Sequence, residues 1–276
     1  LENISLDSLG YHSADFVHYF VEAEKRAYAD RAKYIGDTDF ISVPIEMLTS
    51  DLYAYNNFST IDPHQSTLSN TLSNVLLTNT DEPEETTHFS VTDKYGNAVS
   101  VTFTLNGWFG NAITVTDAGF LLNNQMDDFS IKPGHPNKYG LVGKEANSIK
   151  PNKRMLSSMT PTIVESPDGE LALVLGSPGG STIITTVAQI IVNIVDYDMN
   201  ISEAVNAPRF HHQWLPDVIF YEEAALSKST HKILSDKGYN LQEKKSIGEA
   251  NCIQISSNGI IFGAADIRRD ASTKAY

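Results

Sequence analysis

The sequence predicts an α+β fold in which strands form a sandwich and helices pack outside them. Three observations predict it: an amphipathic helix pattern near the start of the chain, alternating polar and apolar residues at 87–104, and a strongly apolar helix pattern at 181–197. Helical periodicity and two-residue alternation occupy separate stretches of one chain, which is typical of an α+β domain. The 181–197 helix is apolar nearly all round, so we expect it to be buried between layers.

The first part of the chain is predicted to be helical. Ser13 is placed to cap a helix whose apolar residues recur at helical spacing through Tyr28. Pro44 suits the first turn of a second helix that runs through Ser50 or beyond. Residues 56–85 are polar and lack periodicity, and such a long stretch predicts a linker.

The stretch that follows the linker is predicted to form a β-hairpin. Alternating residues flank Lys94-Tyr95-Gly96, which suits a three-residue loop with glycine in the left-handed conformation. Pairing Asp93 with Asn97 and counting outward places Thr86 opposite Thr104, with both side chains on one face. The two hydroxyls are then close enough to hydrogen-bond, although plain cross-strand threonine packing explains the same pair.

The rest of the chain mixes strands and helices without an internal repeat. Short apolar runs bounded by turn residues predict strands, and helical spacing followed by Gly238 predicts a helix. The predicted strands lie at 161–165, 170–176 and 218–221 and on both sides of Asn258-Gly259, and the predicted helix lies at 224–237.

Composition excludes several classes of protein. The 276 residues carry 34 acidic and 20 basic side chains, a formal charge of −14, and no basic stripe, so no nucleic-acid partner is expected. No apolar run is long enough for a membrane span. Cys252, the only cysteine, lies in an apolar alternation and is predicted to be a buried strand residue rather than a reactive thiol.

Thr86 follows the acidic stretch 81–85, as it would if the chain were cut there to expose a threonine as a new amino terminus. A threonine hydroxyl is a weak nucleophile without a neighbouring base. A freed α-amino group has a pKa of about 7.7 to 8.0 and can be that base.

The sequence resembles the gamma-glutamyltransferase (gamma-glutamyltranspeptidase) family of N-terminal nucleophile hydrolases. The similarity rests on six runs in the family's order and spacing. They are Thr-Thr-His-Phe-Ser at 86–90, Gly-Asn-Ala-Val-Ser-Val-Thr at 96–102, Leu-Leu-Asn-Asn-Gln-Met-Asp-Asp-Phe at 121–129, Leu-Ser-Ser-Met at 156–159, Gly-Ser-Pro-Gly-Gly-Ser at 176–181 and Ala-Pro-Arg-Phe-His-His-Gln-Trp at 207–214.

The resemblance implies a four-layer αββα sandwich that is incomplete without an upstream half. Residues 1–85 resemble the end of the large subunit followed by a processing linker, and residues 86–276 resemble the small, catalytic subunit. The chain, which begins at Leu1, is thus expected to be the carboxy-terminal part of a longer precursor. In the family, the upstream half supplies an arginine for the substrate α-carboxylate and part of both sheets.

The resemblance also implies a role for each site residue. Thr86 is the nucleophile, and Thr104 is its polar neighbour. The α-amino and carboxylate ends of a glutamyl group would be held by Asn106, Gln125 and Asp128, its α-carboxylate by Ser157 and Ser158, and the oxyanion by the amides of Gly179 and Gly180. Tyr139, in a loop at 131–150, would close over the site and meet Asn106.

The implied reaction is γ-glutamyl transfer or hydrolysis of glutathione and other γ-glutamyl compounds such as glutamine. It follows self-cleavage between Glu85 and Thr86, passes through a threonyl ester, and ends on water or an acceptor amino acid, with no metal or organic cofactor. The partner is a large-subunit-like upstream segment. Family resemblance places the protein in the periplasm or outside the cell.

Each site residue also has a structural explanation, and other functions compete. Asp127-Asp128 suits a turn, Ser157-Ser158 a helix cap, and Gly179-Gly180 a tight connection. The pair His211-His212 lacks a third metal ligand at helical spacing. The alternatives are a glutaryl acylase, a poly-γ-glutamate depolymerase, or an inactive remnant that binds ligands or a partner subunit. The departures from the family pattern are Met155 for proline, Thr182 for arginine, and Asp266-Ile267-Arg268 for Asp-Pro-Arg.

Overall fold

The computed structural model of the chain describes residues 1–72 and 86–276. Its α-helices are α1 (Leu6–Leu9), α2 (Ala14–Tyr34), α3 (Ile45–Leu48), α4 (Asp51–Phe58), α5 (Ser69–Leu72), α6 (Thr182–Val195), α7 (Ile201–Asn206) and α8 (Lys228–Asp236). Its strands are β1 (Thr87–Thr92), β2 (Ala98–Phe103), β3 (Thr114–Val115), β4 (Phe120–Leu121), β5 (Thr162–Glu165), β6 (Leu171–Leu175), β7 (Phe210–His211), β8 (Ile219–Glu222), β9 (Leu241–Lys244), β10 (Asn251–Ile255) and β11 (Ile261–Ala265).

The chain divides into two compact units, each built from three separate stretches. The first unit comprises Leu1–Glu82, Gln125–Ser157 and Phe210–Lys245. The second comprises Pro83–Asn124, Ser158–Arg209 and Ser246–Tyr276. The predicted division into 1–85 and 86–276 concerns processing of the chain and stays a prediction.

The first unit is organised around α2. Ser13 accepts a hydrogen bond from the Phe16 N–H at 3.0 Å, which confirms the predicted cap. The buried rings of Phe16 and Phe20 meet the edge of Phe210 at centroid distances of 6.1 and 5.4 Å. Phe210 begins a small sheet in which β7 pairs antiparallel and β9 parallel with β8. Burial of one face of α2 is therefore what stabilises this long helix.

Buried charges on α2 fix the segment around Thr67. Glu22 pairs with Arg26 at 2.6 Å and accepts a hydrogen bond from the Thr67 N–H at 3.0 Å. Lys25 Nζ donates to the Thr67 carbonyl at 2.7 Å, and the Tyr239 hydroxyl donates to Glu22 at 2.9 Å. Of the predicted linker, residues 56–72 are described. The hydrogen bonds at Thr67 bind this part of the linker to α2. Residues 73–85, including the predicted cleavage position at Glu85, lie outside the described residues.

The second unit contains a hairpin, a sheet and helices in successive layers. The hairpin β1–β2 packs against a four-stranded antiparallel sheet with the order β11-β10-β6-β5. On the other face of that sheet lie α6 and α7. The core between them contains Leu173, Leu175, Val187, Ile190, Ile201, Ala204, Val205, Ala250, Cys252 and Ala264.

The hairpin turns its polar face toward the sheet. Ser100 Oγ donates to the Leu175 carbonyl at 2.9 Å, and Ser90 Oγ donates to the Asn251 carbonyl at 2.9 Å. The apolar face is exposed instead: the exposed fractions are 48% for Phe89, 52% for Val91, 50% for Val99 and 62% for Phe103. The alternation in the sequence is thus realised with its apolar side uncovered.

Most predicted elements are present, with shifts at their ends. The predicted helix from Pro44 is two helices, because the Ser50 side chain caps a new one at Asp51. Ser227 likewise caps α8, so that helix begins at Lys228 instead of Ala224. The apolar helix predicted at 181–197 is α6, which is largely buried, and only Val195 at its end is exposed.

Two further predictions have plain outcomes. Cys252 lies on β10 and is 2% exposed, and burial raises the pKa of its thiol to about 12, as expected for an inert residue. Among the described helices, none is both long and apolar enough to cross a membrane.

Candidate active site

Thr86 and Thr104 lie opposite each other at the open end of the hairpin. The register pairs Thr87 with Phe103 and Thr92 with Ala98, as predicted. The Thr86 hydroxyl is 3.3 Å from Thr104 Oγ1. The predicted register is therefore confirmed, and the nucleophile candidate has a hydroxyl partner in the second unit.

The turn after β2 orients Thr104. The backbone N–H of Asn106 donates to Thr104 Oγ1 at 2.8 Å, and Asn106 has a positive φ of 71°. Asn124 stabilises this turn, since its side chain accepts from the Gly107 N–H at 2.8 Å and its carbonyl accepts from Asn106 Nδ2 at 3.1 Å. We did not single out Asn124 from the sequence, although it lies within one of the family-like runs. The Asn106 amide is therefore held in place by backbone contacts within the second unit.

Gly179 and Gly180 lie immediately before α6. Their φ angles are 133° and 56°, and a Cβ on Gly179 would overlap the Thr182 hydroxyl. The Gly179 carbonyl accepts hydrogen bonds from the Thr182 N–H at 3.0 Å and from its hydroxyl at 2.8 Å. Thr182, where the family pattern has arginine, thus fastens the glycine turn to the helix. Glycine is required here by conformation and by space.

A pocket of about 560 Å³ opens beside Thr86 within the second unit. It is lined by Thr86, Thr87, His88, Trp108, Pro178, Glu249, Asn251, Arg268, Arg269 and Asp270. This volume is in the range of small-molecule sites in proteins. Its lining includes the nucleophile candidate but none of the residues predicted to hold the glutamyl group.

His88 is buried between the hairpin and the sheet. Its Nδ1 lies 2.9 Å from Thr102 Oγ1 and its Nε2 lies 3.0 Å from Ser90 Oγ. Burial lowers the pKa of His88 to about 4, so the imidazole is neutral near pH 7. Gly176 faces this ring, and a Cβ at that position would overlap it. The ring therefore anchors the strand that carries Thr86 two residues away.

Asp128 and Gln125 lie in the first unit, on the 3₁₀ helix Gln125–Asp128. Asp128 borders a cavity of about 20 Å³, roughly the size of one water molecule, together with Arg31. Burial and the charge of Asp127 raise the pKa of Asp128 to about 6, against the opposing influence of Arg31 and Lys138. Asn147 fixes the backbone here by donating to the Asp128 carbonyl at 2.7 Å. A carboxyl group whose pKa is raised in this way is stabilised in its charged form by a nearby cation.

The remaining predicted residues are distributed over both units. Tyr139 is in the first unit and 3% exposed, and its carbonyl accepts a hydrogen bond from Gln213 at 3.0 Å. Ser157 ends a segment of the first unit and is exposed, whereas Ser158 begins one of the second and is half-buried. The roles assigned to these residues stay predictions.

The two adjacent histidines are buried, and both take part in hydrogen bonds. His211 Nε2 lies 2.9 Å from Gln213 Oε1. His212 Nδ1 accepts from the Trp214 N–H at 3.0 Å, which leaves its Nε2 to donate to Asp217 at 3.2 Å. Burial lowers the pKa of His211 to about 3 and that of His212 to about 4. Both rings therefore serve the interior of the first unit as neutral groups.

The Asp266-Ile267-Arg268 departure forms a buried ion cluster in the second unit. Asp266 accepts from Arg209 at 2.7 Å and from Arg268 at 2.9 Å, and Arg268 also donates to the Ala207 carbonyl at 2.8 Å. Arg268 is thus bound to the fold without the proline of the family pattern.

Comparison with known proteins gives consistent matches along the chain. The family model described as Gamma-glutamyltranspeptidase matches residues 1–276. A glutathione hydrolase proenzyme from Escherichia coli strain K12 is 51% identical, with 100% of this chain and 47% of the relative aligned. The chain therefore spans about half the length of that curated relative.

A solved structure and a more distant relative add to this comparison. The Helicobacter pylori gamma-glutamyltranspeptidase T380A mutant matches with 54% identity and a TM-score of 0.64, covering 66% of this chain and 100% of its own. An acylase ACY 1 proenzyme from Pseudomonas sp. strain SE83 is 34% identical over 100% of this chain and 46% of its own length.

Proposed function

Because the chain belongs to the gamma-glutamyltranspeptidase family, we propose that it carries the nucleophile of an enzyme that transfers or hydrolyses γ-glutamyl groups. Its substrates are glutathione and other γ-glutamyl compounds, and its acceptors are water and amino acids. The compartment follows the resemblance and is periplasmic or extracellular. Cell fractionation tests that part of the proposal, and a purely cytosolic protein would contradict it.

One observation carries this proposal: Thr86 Oγ1 lies 3.3 Å from Thr104 Oγ1 beside a pocket large enough for a small molecule. A structural cross-strand pair needs neither a pocket nor the polar turn that fixes Thr104 through Asn106. The pairing of a nucleophile with a polar neighbour and an open space is what acyl transfer requires.

Processing is the first step of the proposed chemistry. The Thr86 hydroxyl attacks the carbonyl carbon of Glu85, the C–N bond breaks, and an ester links the two residues. The hydroxyl proton ends on the nitrogen, so this step already frees the α-amino group of Thr86. Water then hydrolyses the ester to a Glu85 carboxylate and the Thr86 hydroxyl. That a relative 51% identical to this chain is named a proenzyme supports such processing.

Turnover reuses the same hydroxyl. Its proton passes to the Thr86 α-amino group while Oγ attacks the γ-carbonyl carbon of the donor. The leaving amine takes that proton, and a γ-glutamyl ester remains. Water or an acceptor amine then attacks the ester and regenerates Thr86. The N–H groups of Gly179 and Gly180, before the first turn of α6, would stabilise the oxyanion.

The donor that the enzyme prefers distinguishes γ-glutamyl transfer from the alternative acylase function. Glutaryl and γ-glutamyl groups differ by the α-amino group, and a half-buried carboxylate with a raised pKa is stabilised by a ligand that carries an ammonium. Asp128 is such a carboxylate, with its pKa raised to about 6. We therefore expect a γ-glutamyl anilide to be preferred over a glutaryl anilide. The reverse preference would favour the acylase function.

The proposed partner is a segment that corresponds to the other half of the relatives' length. The hairpin exposes a face containing Phe89, Val91, Val99 and Phe103, each close to half exposed or more. A contiguous apolar strand face of this kind is typical of an interface. Covering it with helices would complete the αββα order, since the second unit already has the hairpin, the sheet and the helices.

The deciding experiment is intact mass analysis of the purified protein with Thr86→Ala and Thr86→Ser variants. We expect two fragments that meet between Glu85 and Thr86, no cleavage or activity in the alanine variant, and partial cleavage and activity in the serine variant. Thr92→Ala is the matched control, because Thr92 lies on the same face at the other end of the hairpin. Normal cleavage of Thr86→Ala would refute the proposal.

A further inference from the structure

The pocket beside Thr86 contains an arginine whose geometry suits a carboxylate ligand. The Arg269 guanidinium lies over the Trp108 ring, with 4.7 Å between the guanidinium carbon and the ring centroid. Its NH1 is 3.2 Å from Glu249 Oε2. All three residues line the same pocket as Thr86. Stacking on a ring leaves the in-plane N–H groups of a guanidinium able to donate to a ligand.

Arg269 and its neighbour Arg268 differ in what they do. Arg268 is 10% exposed at its side chain and donates to Asp266 and to two backbone carbonyls, so it belongs to the buried ion cluster. The Arg269 side chain is 29% exposed. Of these two arginines, Arg269 is the one placed to reach a ligand in the pocket.

Resting on the function proposed above, we propose that Arg269 binds the carboxylate of the amine that leaves Thr86 or attacks it, and that Glu249 and Trp108 are its positioning residues. The ligand class is an amino acid or short peptide with a free carboxylate. In glutathione the leaving amine is a dipeptide of this kind. An uncharged aromatic amine is not.

One subsite serves both directions because formation and aminolysis of the ester are the same reaction reversed. In the forward direction the donor C–N bond breaks, the C–O bond to Thr86 forms, and the proton from the Thr86 hydroxyl ends on the leaving amine through the Thr86 α-amino group. In transfer, a neutral acceptor amine forms the new C–N bond, the C–O bond breaks, and the amine proton returns to Thr86 Oγ by the same group. No oxidant or other co-reactant is involved.

The test compares two donors in the processed enzyme, obtained by co-expression with the upstream segment. One is glutathione, whose leaving amine has a carboxylate, and the other is γ-glutamyl-4-nitroanilide, whose leaving amine has none. For Arg269→Gln we expect kcat/KM for glutathione, relative to that for the anilide, to fall about tenfold, the size of a partly exposed charge-assisted contact. Arg269→Lys should recover part of this ratio.

The ratio of two donors in one preparation does not depend on how much protein folds. Lys232→Gln is the matched control, since it removes an exposed cation paired with Asp236 and should leave the ratio unchanged. An equal fall for both donors in Arg269→Gln would overturn the inference while leaving the proposed function intact. Failure of the wild-type enzyme to hydrolyse either donor would overturn the proposed function and this inference with it.

Discussion

Asp128 allows a test in which stability and activity should change in opposite directions. We predict that Asp128→Asn stabilises the protein at neutral pH and weakens donor binding, while self-cleavage between Glu85 and Thr86 continues. The side chain sits in the first unit beside Arg31, and burial together with Asp127 raises the pKa of its carboxyl. Asparagine keeps the shape but removes the charge that burial penalises.

The expected increase in the free energy of unfolding of Asp128→Asn follows from the size of this pKa change. The pKa rises from its ordinary value of 3.8 to about 6, and each pKa unit corresponds to about 1.36 kcal/mol. The upper bound is therefore about 3 kcal/mol. Since the carboxyl is half-buried and keeps part of its solvent contact, we expect about 2 kcal/mol at pH 7.5.

The direction in which stability changes with pH follows from proton binding at Asp128. Between pH 4 and 6 the folded protein holds the Asp128 proton more tightly than the unfolded chain does. The free energy of unfolding of the wild type therefore falls as pH rises through this range, and it stays lower above about pH 6. Asparagine cannot ionise, so its advantage should be complete at pH 7.5 and absent below about pH 4.

Urea unfolding of wild type and Asp128→Asn at pH 4 and pH 7.5 measures this difference, with γ-glutamyl anilide hydrolysis and intact mass measured on the same preparations. Loss of the ammonium contact should lower kcat/KM by a factor that corresponds to about 1.5 to 3 kcal/mol of lost transition-state stabilisation. A variant that is less stable at pH 7.5, or equally stabilised at both pH values, would refute the reasoning. Loss of cleavage as well as activity would instead assign Asp128 a folding role.

Two further predictions concern packing. Gly176→Ala should destabilise the protein by about 2 kcal/mol, because its Cβ would overlap the His88 ring. Gly263→Ala is the control and should cost less than about 1 kcal/mol, since its Cβ would meet only the Thr273 side chain, at 3.2 Å. Urea unfolding compares the two variants, and equal unfolding midpoints would contradict this prediction. Co-expression with the upstream segment should raise both soluble yield and γ-glutamyl anilide hydrolysis, because the exposed hairpin face containing Phe89 and Phe103 would then be covered; full solubility and activity of the 276 residues alone would show that this face needs no partner.

Local patterns predicted the parts of the molecule that depend on neighbours in sequence. The Lys94-Tyr95-Gly96 loop set the hairpin register, and the register in turn placed Thr86 opposite Thr104. Ser13 marked the start of α2 because a cap is made within a single turn. The same locality explains why the helix predicted from Pro44 ends at Leu48 and why α8 begins later than Ala224. A later serine offered a competing cap at each place, and helical spacing alone did not choose between them.

Tertiary structure decided every property that depends on distant residues. The alternation of β1 predicted two faces, but Gly176 and the sheet determined that the face with His88 is buried. The raised pKa of Asp128 depends on burial, which outweighs the opposing charge of Arg31, far away in the sequence.

The proposed role of Arg269 also depends on a residue that is distant in the sequence. Arg269 is a candidate ligand-binding residue because the fold brings its guanidinium over the Trp108 ring. Hydrogen-bond register and caps act over a few residues and can therefore be predicted from the chain alone. Desolvation and packing act through whatever side chains the fold brings near, and those neighbours are set only when the whole chain is folded.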